Sequence, residues 1–198
     1  TYQEQKTYFD VLRLTVDDKY SWDFAMLGVG LRYINGVGKP DMLHYVESFG
    51  MEGHYDFASN RGYIWSRTFP LLKRALLLGV GQDNFAYAFP NDDYVGKENC
   101  GFNEQIVTKP HNMYLQIWVQ DGLPALLAFL ALYLLLFGRT IRKCFKKGKW
   151  NHSQKISLAF LCGVSGYFVA GLANDSSICV APVFWVLFGV AFAVLRSE

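Results

Sequence analysis

The stretch Leu123-Pro124-Ala125-Leu126-Leu127-Ala128-Phe129-Leu130-Ala131-Leu132-Tyr133-Leu134-Leu135-Leu136-Phe137-Gly138 carries no charge. Crossing the hydrocarbon core of a bilayer takes roughly 20 helical residues, and this run reaches that length with its flanks. Two further uncharged runs, Ile156–Leu172 and Ile178–Leu195, follow it. Three transmembrane helices are predicted, at about 122–140, 155–173 and 177–196. Buried helices of a large soluble core are the alternative, which charge-free runs of this length disfavour.

Outward from these runs the composition divides sharply. Residues 1–112 hold 11 Lys/Arg against 14 Asp/Glu, a net charge of −3, while 113–198 hold 8 against 3, a net of +5. Arg139, Arg142, Lys143, Lys146, Lys147 and Lys149 crowd the link between the first two runs, with Lys155 close behind. Lys and Arg concentrate in cytoplasmic loops, so this link, 139–149, is expected inside the cell. Topology suffices to explain the cluster, and no nucleic-acid partner is expected. The turn Ala173–Ser177 then lies outside, Arg196 inside, and residues 1–112 face the exterior or periplasm. Chemistry there runs where ATP and nucleotide sugars are normally absent. An exterior segment with no preceding span to export it, in a chain starting at Thr1, marks the sequence as a piece of a longer membrane protein. The fold class expected is mainly α and integral to the membrane: an exterior segment with amphipathic interfacial helices, then three spans.

The exterior part divides at 58 and 121. Within 1–58, Tyr20–Ile34 is aromatic and apolar, too short to span, and reads as a surface helix or interfacial segment, with Asn35–Pro40 a turn. In 59–121, Ser59-Asn60 offers an N-cap for a helix from Arg61 towards Leu78, kinked at Pro70 and stopped by Gly79. Ile64, Trp65, Phe69, Leu72, Leu76 and Leu77 give it an apolar face. Arg61, Arg67, Lys73 and Arg74 supply the cationic remainder, a pattern suited to lying along the outer leaflet. Gly79–Gln105 reads as a long polar loop. A second helix starts near Pro110 or His111 and bends at Asp121-Gly122. Of the four cysteines only Cys100 and Cys179 share the oxidising side, and no spacing suggests a zinc site. Asp92, Asp93 and Glu98 match no calcium loop, and no metal is expected. His44, His54 and His152 match nothing.

Three pieces occur in order: Ser59-Asn60-Arg61-Gly62-Tyr63-Ile64-Trp65, Gly79-Val80-Gly81-Gln82-Asp83-Asn84-Phe85 and Lys109-Pro110-His111-Asn112-Met113-Tyr114-Leu115. With them the chain resembles the O-antigen ligase and O-antigen polymerase family of bacterial membrane glycosyltransferases. Asn174-Asp175-Ser176-Ser177 and Ala181-Pro182-Val183-Phe184-Trp185 look like members from Gram-positive bacteria. The resemblance runs from about Ser59 to the C-terminus and leaves 1–58 unmatched. Family members carry many more helices upstream, so this chain alone is expected to be inactive.

The resemblance implies a metal-independent transfer of glycan from a polyprenyl diphosphate carrier to an acceptor hydroxyl, on the exterior face of the bacterial membrane. The partners it implies are that lipid-linked donor, a glycan or lipid acceptor, and membrane lipids; it implies no cofactor. A departing diphosphate needs cations, and an acceptor hydroxyl needs a base. Arg61 is the candidate for the diphosphate, since guanidinium pairs bidentately with phosphate. His111, whose imidazole type exchanges a proton near neutrality, is the candidate base or donor to the diphosphate. Arg67 reaches the diphosphate only if Pro70 tilts the helix. Asn112 caps the helix or orients the imidazole. Gly79 and Gly81 either let backbone approach the substrate or end a helix. Asp175 either holds an arginine in place or is a solvated turn residue. Against the transferase stand two other classes: a non-catalytic membrane module that binds or translocates lipid-linked glycan, and a soluble exterior domain on an anchor.

Overall fold

A computed structural model describes residues 9–18, 20–101, 105–145 and 150–196. Lys146, Lys147 and Lys149 of the basic link, and residues 102–104 of the polar loop, lie outside the described residues.

The N-terminal part is a sheet. Strands β1 (Asp10–Val16), β2 (Tyr20–Leu27), β3 (Gly30–Ile34) and β4 (Pro40–Asp41) pair antiparallel in chain order. The expected helix or interfacial segment at Tyr20–Ile34 is therefore corrected to two strands and their turn. The physical reason is a period of two. Trp22, Phe24 and Met26 alternate with Ser21, Asp23 and Ala25, and alternation puts each set on its own face of a pleat. The register sets Leu12 opposite Phe24 and Leu14 opposite Trp22, which makes one face apolar. On the other face Arg13 pairs with Asp23 through both guanidinium and carboxylate atoms, at 2.7 and 2.8 Å. The sheet joins the body at its β3–β4 end. Tyr33 is buried against the Tyr94 ring, centroids 4.9 Å apart, and Tyr94 Oη donates to Asp41 Oδ2.

Helix α1 (Phe57–Arg74) is helical from Arg61, because Ala58, Ser59 and Asn60 have left-handed backbones. It stops at Arg74, short of the expected Leu78. Pro70 sits inside it without ending it. Proline withholds the N–H that would reach the carbonyl of Ser66, and the Phe49 N–H takes that carbonyl at 2.9 Å instead. Of the expected apolar face, Ile64 is buried and Trp65 and Leu72 partly so, while Leu76 and Leu77 are exposed; Tyr63, Ile64 and Leu71 form a core with Phe85, Phe89, Val107 and Val119. The polar loop also contains two short helices, α2 (Phe85–Ala88) and α3 (Tyr94–Asn99).

Helix α4 (Met113–Asp121) turns at Gly122 into α5 (Leu123–Cys144), followed by α6 (His152–Ala170) and α7 (Ala181–Arg196). Helices α5, α6 and α7 pack on one another through a second core that includes Phe129, Leu136, Leu161, Phe168, Phe184 and Phe188. Stacked rings run through it, Phe129 on Phe168 at 4.7 Å and Tyr167 on Phe184 at 4.1 Å. Asn151 and Gln154 form a reciprocal capping box that starts α6. Among the described residues, one helix is long and apolar enough to cross a membrane: α5, with 22 residues. At 1.5 Å per residue it is about 33 Å long, against roughly 30 Å of hydrocarbon. The second and third expected spans are shorter as helices, 19 and 16 residues.

Candidate active site

The segment before α4 is held on three sides. The Trp65 indole of α1 donates to the Pro110 carbonyl at 2.8 Å. Asn112 Oδ1 caps α4 by accepting from the N–H groups of Tyr114 and Leu115, and its amide donates to the Leu172 carbonyl at 2.9 Å. The Met113 N–H donates to the Gly171 carbonyl at 2.8 Å, and Gln116 Oε1 accepts from the Ser176 N–H at 2.8 Å. Two stretches far apart in sequence, Lys109–Leu115 and Asn174–Ser177, thus form one unit at the mouth of the bundle.

His111 sits at the centre of that unit with φ +52°. A left-handed non-glycine residue costs about 1–2 kcal/mol and persists only where its neighbours enforce it. Here the enforced result is a contact between His111 Nδ1 and Asp175 Oδ2 at 2.9 Å. The imidazole is half exposed and the Asp175 carboxylate 10 % exposed, so the acid lies behind the ring and the ring faces solvent. The other carboxylate oxygen, Oδ1, is buried without a partner among the described residues.

Three clefts meet around this pair. One of about 430 Å³ is lined by Lys109, His111, Tyr167, Asn174, Asp175 and Ser177. A larger one, about 550 Å³, shares Lys109, Tyr167 and Ser177 with it and extends along α4 to Gln82 and Asp121. A third, about 260 Å³, brings His111 against Ser59, Asn60 and Ile64 at the start of α1. The first and third of the three sequence pieces therefore come together at His111. Lys109 borders both larger clefts and makes no ion pair among the described residues.

The other expected residues fall as follows. Arg61 is one residue from the wall of the third cleft. Its guanidinium donates to the Ala58 carbonyl at 2.9 Å, and its Nε is buried without a partner among the described residues. Arg67 is not on a cationic surface but 8 % exposed, with Nε 2.9 Å from Asp93 Oδ2 and its guanidinium over the rings of Tyr55 and Tyr63 at 4.8 and 4.4 Å. Burial opposes its charge, and the bonds to Tyr55 and Asp93 outweigh that and raise its pKa. Tyr63, which also donates to Asp93, is raised by burial and by that carboxylate. Arg67 is thus committed to internal structure, and of the acidic pair Asp92-Asp93 only the second goes inside.

Gly79 and Gly81 lie where the chain after α1 crosses the end of α4. The Val80 and Gly81 N–H groups donate to the carbonyls of Val119 and Gln120. A Cβ on Gly79 would sit 2.3 Å from the Gln120 carbonyl oxygen, and one on Gly122 would sit 2.2 Å from that of Leu77. Both have positive φ. Close backbone crossing explains these glycines, a third account beside the two expected. Asp175 holds His111 rather than an arginine. Among the described residues no group of three or more His, Cys, Asp or Glu is placed to hold a metal ion, and all four cysteines are free.

Sequence reading gave Lys109, Gln116 and Gln120 no role. Gln116 and Gln120 had a usable signal: two amides four residues apart in an otherwise apolar helix share a face. Asp93 had none, since its partner is 26 residues away.

A mostly helical protein with a membrane-length helix and an acid-backed histidine in an open cleft is the class that emerges. The O-antigen ligase pattern matches residues 21–130, more than half of the chain, and the chain belongs to this family of bacterial membrane proteins. The match begins in β2, well ahead of Ser59, and ends inside α5, short of the Asn174–Ser177 turn. No curated protein and no solved structure matches the chain.

Proposed function

We propose that the protein transfers or polymerises glycan from a polyprenyl diphosphate carrier onto an acceptor hydroxyl at the exterior face of the bacterial membrane, in O-antigen or capsule-type polysaccharide synthesis. The observation that carries this is the 2.9 Å contact of His111 with Asp175 at the wall of an open cleft, in a chain of the O-antigen ligase family.

In this reading His111 gives its Nδ1–H to Asp175, leaving Nε2 to take the proton of the acceptor hydroxyl. General-base help of this kind is worth about 10²–10⁴ in rate. The buried carboxylate fixes the tautomer and offsets the charge of the imidazolium. The acceptor oxygen bonds to the anomeric carbon as the bond from that carbon to the diphosphate oxygen breaks. Polyprenyl diphosphate leaves with the electron pair. Lys109 and Arg61 meet the growing negative charge, Lys109 from within the cleft and Arg61 from the start of α1. The reaction requires no metal or other cofactor.

Helices α5, α6 and α7 are proposed as three spans, with the His111 end outside. Support comes from α5, where only 22 % of the apolar window is buried, and from the exposed Val183, Val186 and Val190 on α7. Surfaces of that kind suit lipid or further helices. The test is production of surface glycan in cells carrying Arg61→Ala or His111→Ala. Loss of product with normal protein levels is expected, and normal product from both variants overturns the proposal.

A further inference from the structure

The larger cleft beside the His111–Asp175 pair contains groups that the chemistry above does not use. Gln120 is 3 % exposed, lines this cleft, and makes no side-chain hydrogen bond among the described residues. Gln116, 8 % exposed, gives its oxygen to the Ser176 N–H, and its amide nitrogen has no partner among the described residues. Neither amide is sealed from the cleft, so both can hydrogen-bond to whatever fills it, and two such amides on one face of one helix point to a polar ligand. At the cleft edge Asp121 accepts from the Gln82 amide and keeps its second oxygen. Trp185, half exposed at the start of α7, also lines this cleft and supplies an aromatic ring.

Buried amides that both donate and accept, a carboxylate and one aromatic ring fit a particular ligand class. A pyranose has hydroxyls that donate and accept around its edge and a C–H face that lies on an aromatic ring. An anionic ligand would meet two carboxylates, Asp83 and Asp121, against the single cation Lys109, and an acyl chain would leave the amides unpaired. We infer that this cleft is a sugar subsite, in which Gln116 and Gln120 read ring hydroxyls and Trp185 stacks on the ring. This rests on the transferase reading, and Lys109 joins the two: it borders both the sugar cleft and the His111 cleft. The sugar it holds belongs either to the lipid-linked donor or to the acceptor glycan.

The test measures binding of oligosaccharide fragments, cut from the surface polysaccharide of the producing cells, to the protein in lipid nanodiscs. Saturation-transfer NMR on wild type, Gln120→Leu, Trp185→Ala and Arg74→Ala reads the affinity. Gln120→Leu and Trp185→Ala each weaken binding about fivefold or more, while Arg74→Ala, exposed on α1 and outside the cleft, binds like wild type. Because the Gln120 amide has no partner among the described residues, Gln120→Leu melts no lower than wild type. Unchanged affinity in both cleft variants overturns the subsite, as does a clear drop in melting temperature for Gln120→Leu. Neither result touches the role of His111, which the surface-glycan test decides separately. Where the subsite stands, KM measured with donor and acceptor varied in turn identifies which sugar it holds, since only that one rises.

Discussion

Arg67 shows how differently one residue reads in sequence and in space. On a helical wheel it belongs to a cationic face. In the fold it is sealed beside Asp93, Tyr55 and Tyr63. Removing one partner of a buried ion pair leaves the other charged, unpaired and out of water, which costs about 3–5 kcal/mol. Arg67→Met should therefore destabilise the N-terminal part by about that amount in chemical denaturation, and a loss below about 1 kcal/mol would contradict the account. Arg74, on the same helix, is exposed and should be nearly neutral to substitution. His111 was legible because its neighbours are local: Asn112 caps the helix that follows, as read. Its acid was legible only as a residue type. That Asp175 backs His111 depends on α6 returning the chain 64 residues later.

Among elements, the sheet was the largest feature missed. Tyr20–Ile34 is rich in aromatics and short of charge, and overall apolarity masked its alternation. The apolar face it forms is only partly covered, so burial did not force the pattern to be strict. What ties the sheet down is the end at Asp41 and Tyr94. The hydrogen bond from Tyr94 holds the Asp41 carboxyl below its usual value. A carboxyl depressed in the folded state stabilises above its unfolded value, near 3.8, and that contribution is lost as pH falls through the folded value. Hydrogen exchange of peptides from β2 to β4 should therefore lose protection on acidification below about pH 3.8. Tyr94→Phe should be less protected at neutral pH and change less with acid. Identical pH profiles for the two proteins would remove Asp41–Tyr94 as the anchor. The glycines at 79 and 122 belong to this scale too. Sequence reading saw a turn at each, and the crossing of two backbones that excludes a Cβ is visible only once α4 lies against the chain leaving α1.

For the whole molecule, the division into a polar N-terminal part and an apolar bundle was legible because hydrophobic runs and charge asymmetry are properties of the sequence itself. The clefts were not, because each is walled by segments distant in sequence, the two larger ones by segments that meet through the bundle and the third by the start of α1 and the end of the polar loop. The proposed orientation puts Cys179, exposed in the turn before α7, outside, and Trp150, before α6, inside. With Cys100 replaced by serine, a membrane-impermeant maleimide should label Cys179 in intact cells, and with Cys100 and Cys179 both replaced it should reach a Trp150→Cys variant only after permeabilisation. The opposite pattern would invert the topology and move His111 to the cytoplasm. The most direct test of the central claim is polyprenyl diphosphate release by the protein in nanodiscs, followed together with glycan product from a lipid-linked donor. His111→Ala should lower both rates together by about 10²–10⁴ while donor binding persists, and Asp175→Asn should lower them in the same direction. Wild-type release and product from His111→Ala would contradict the account.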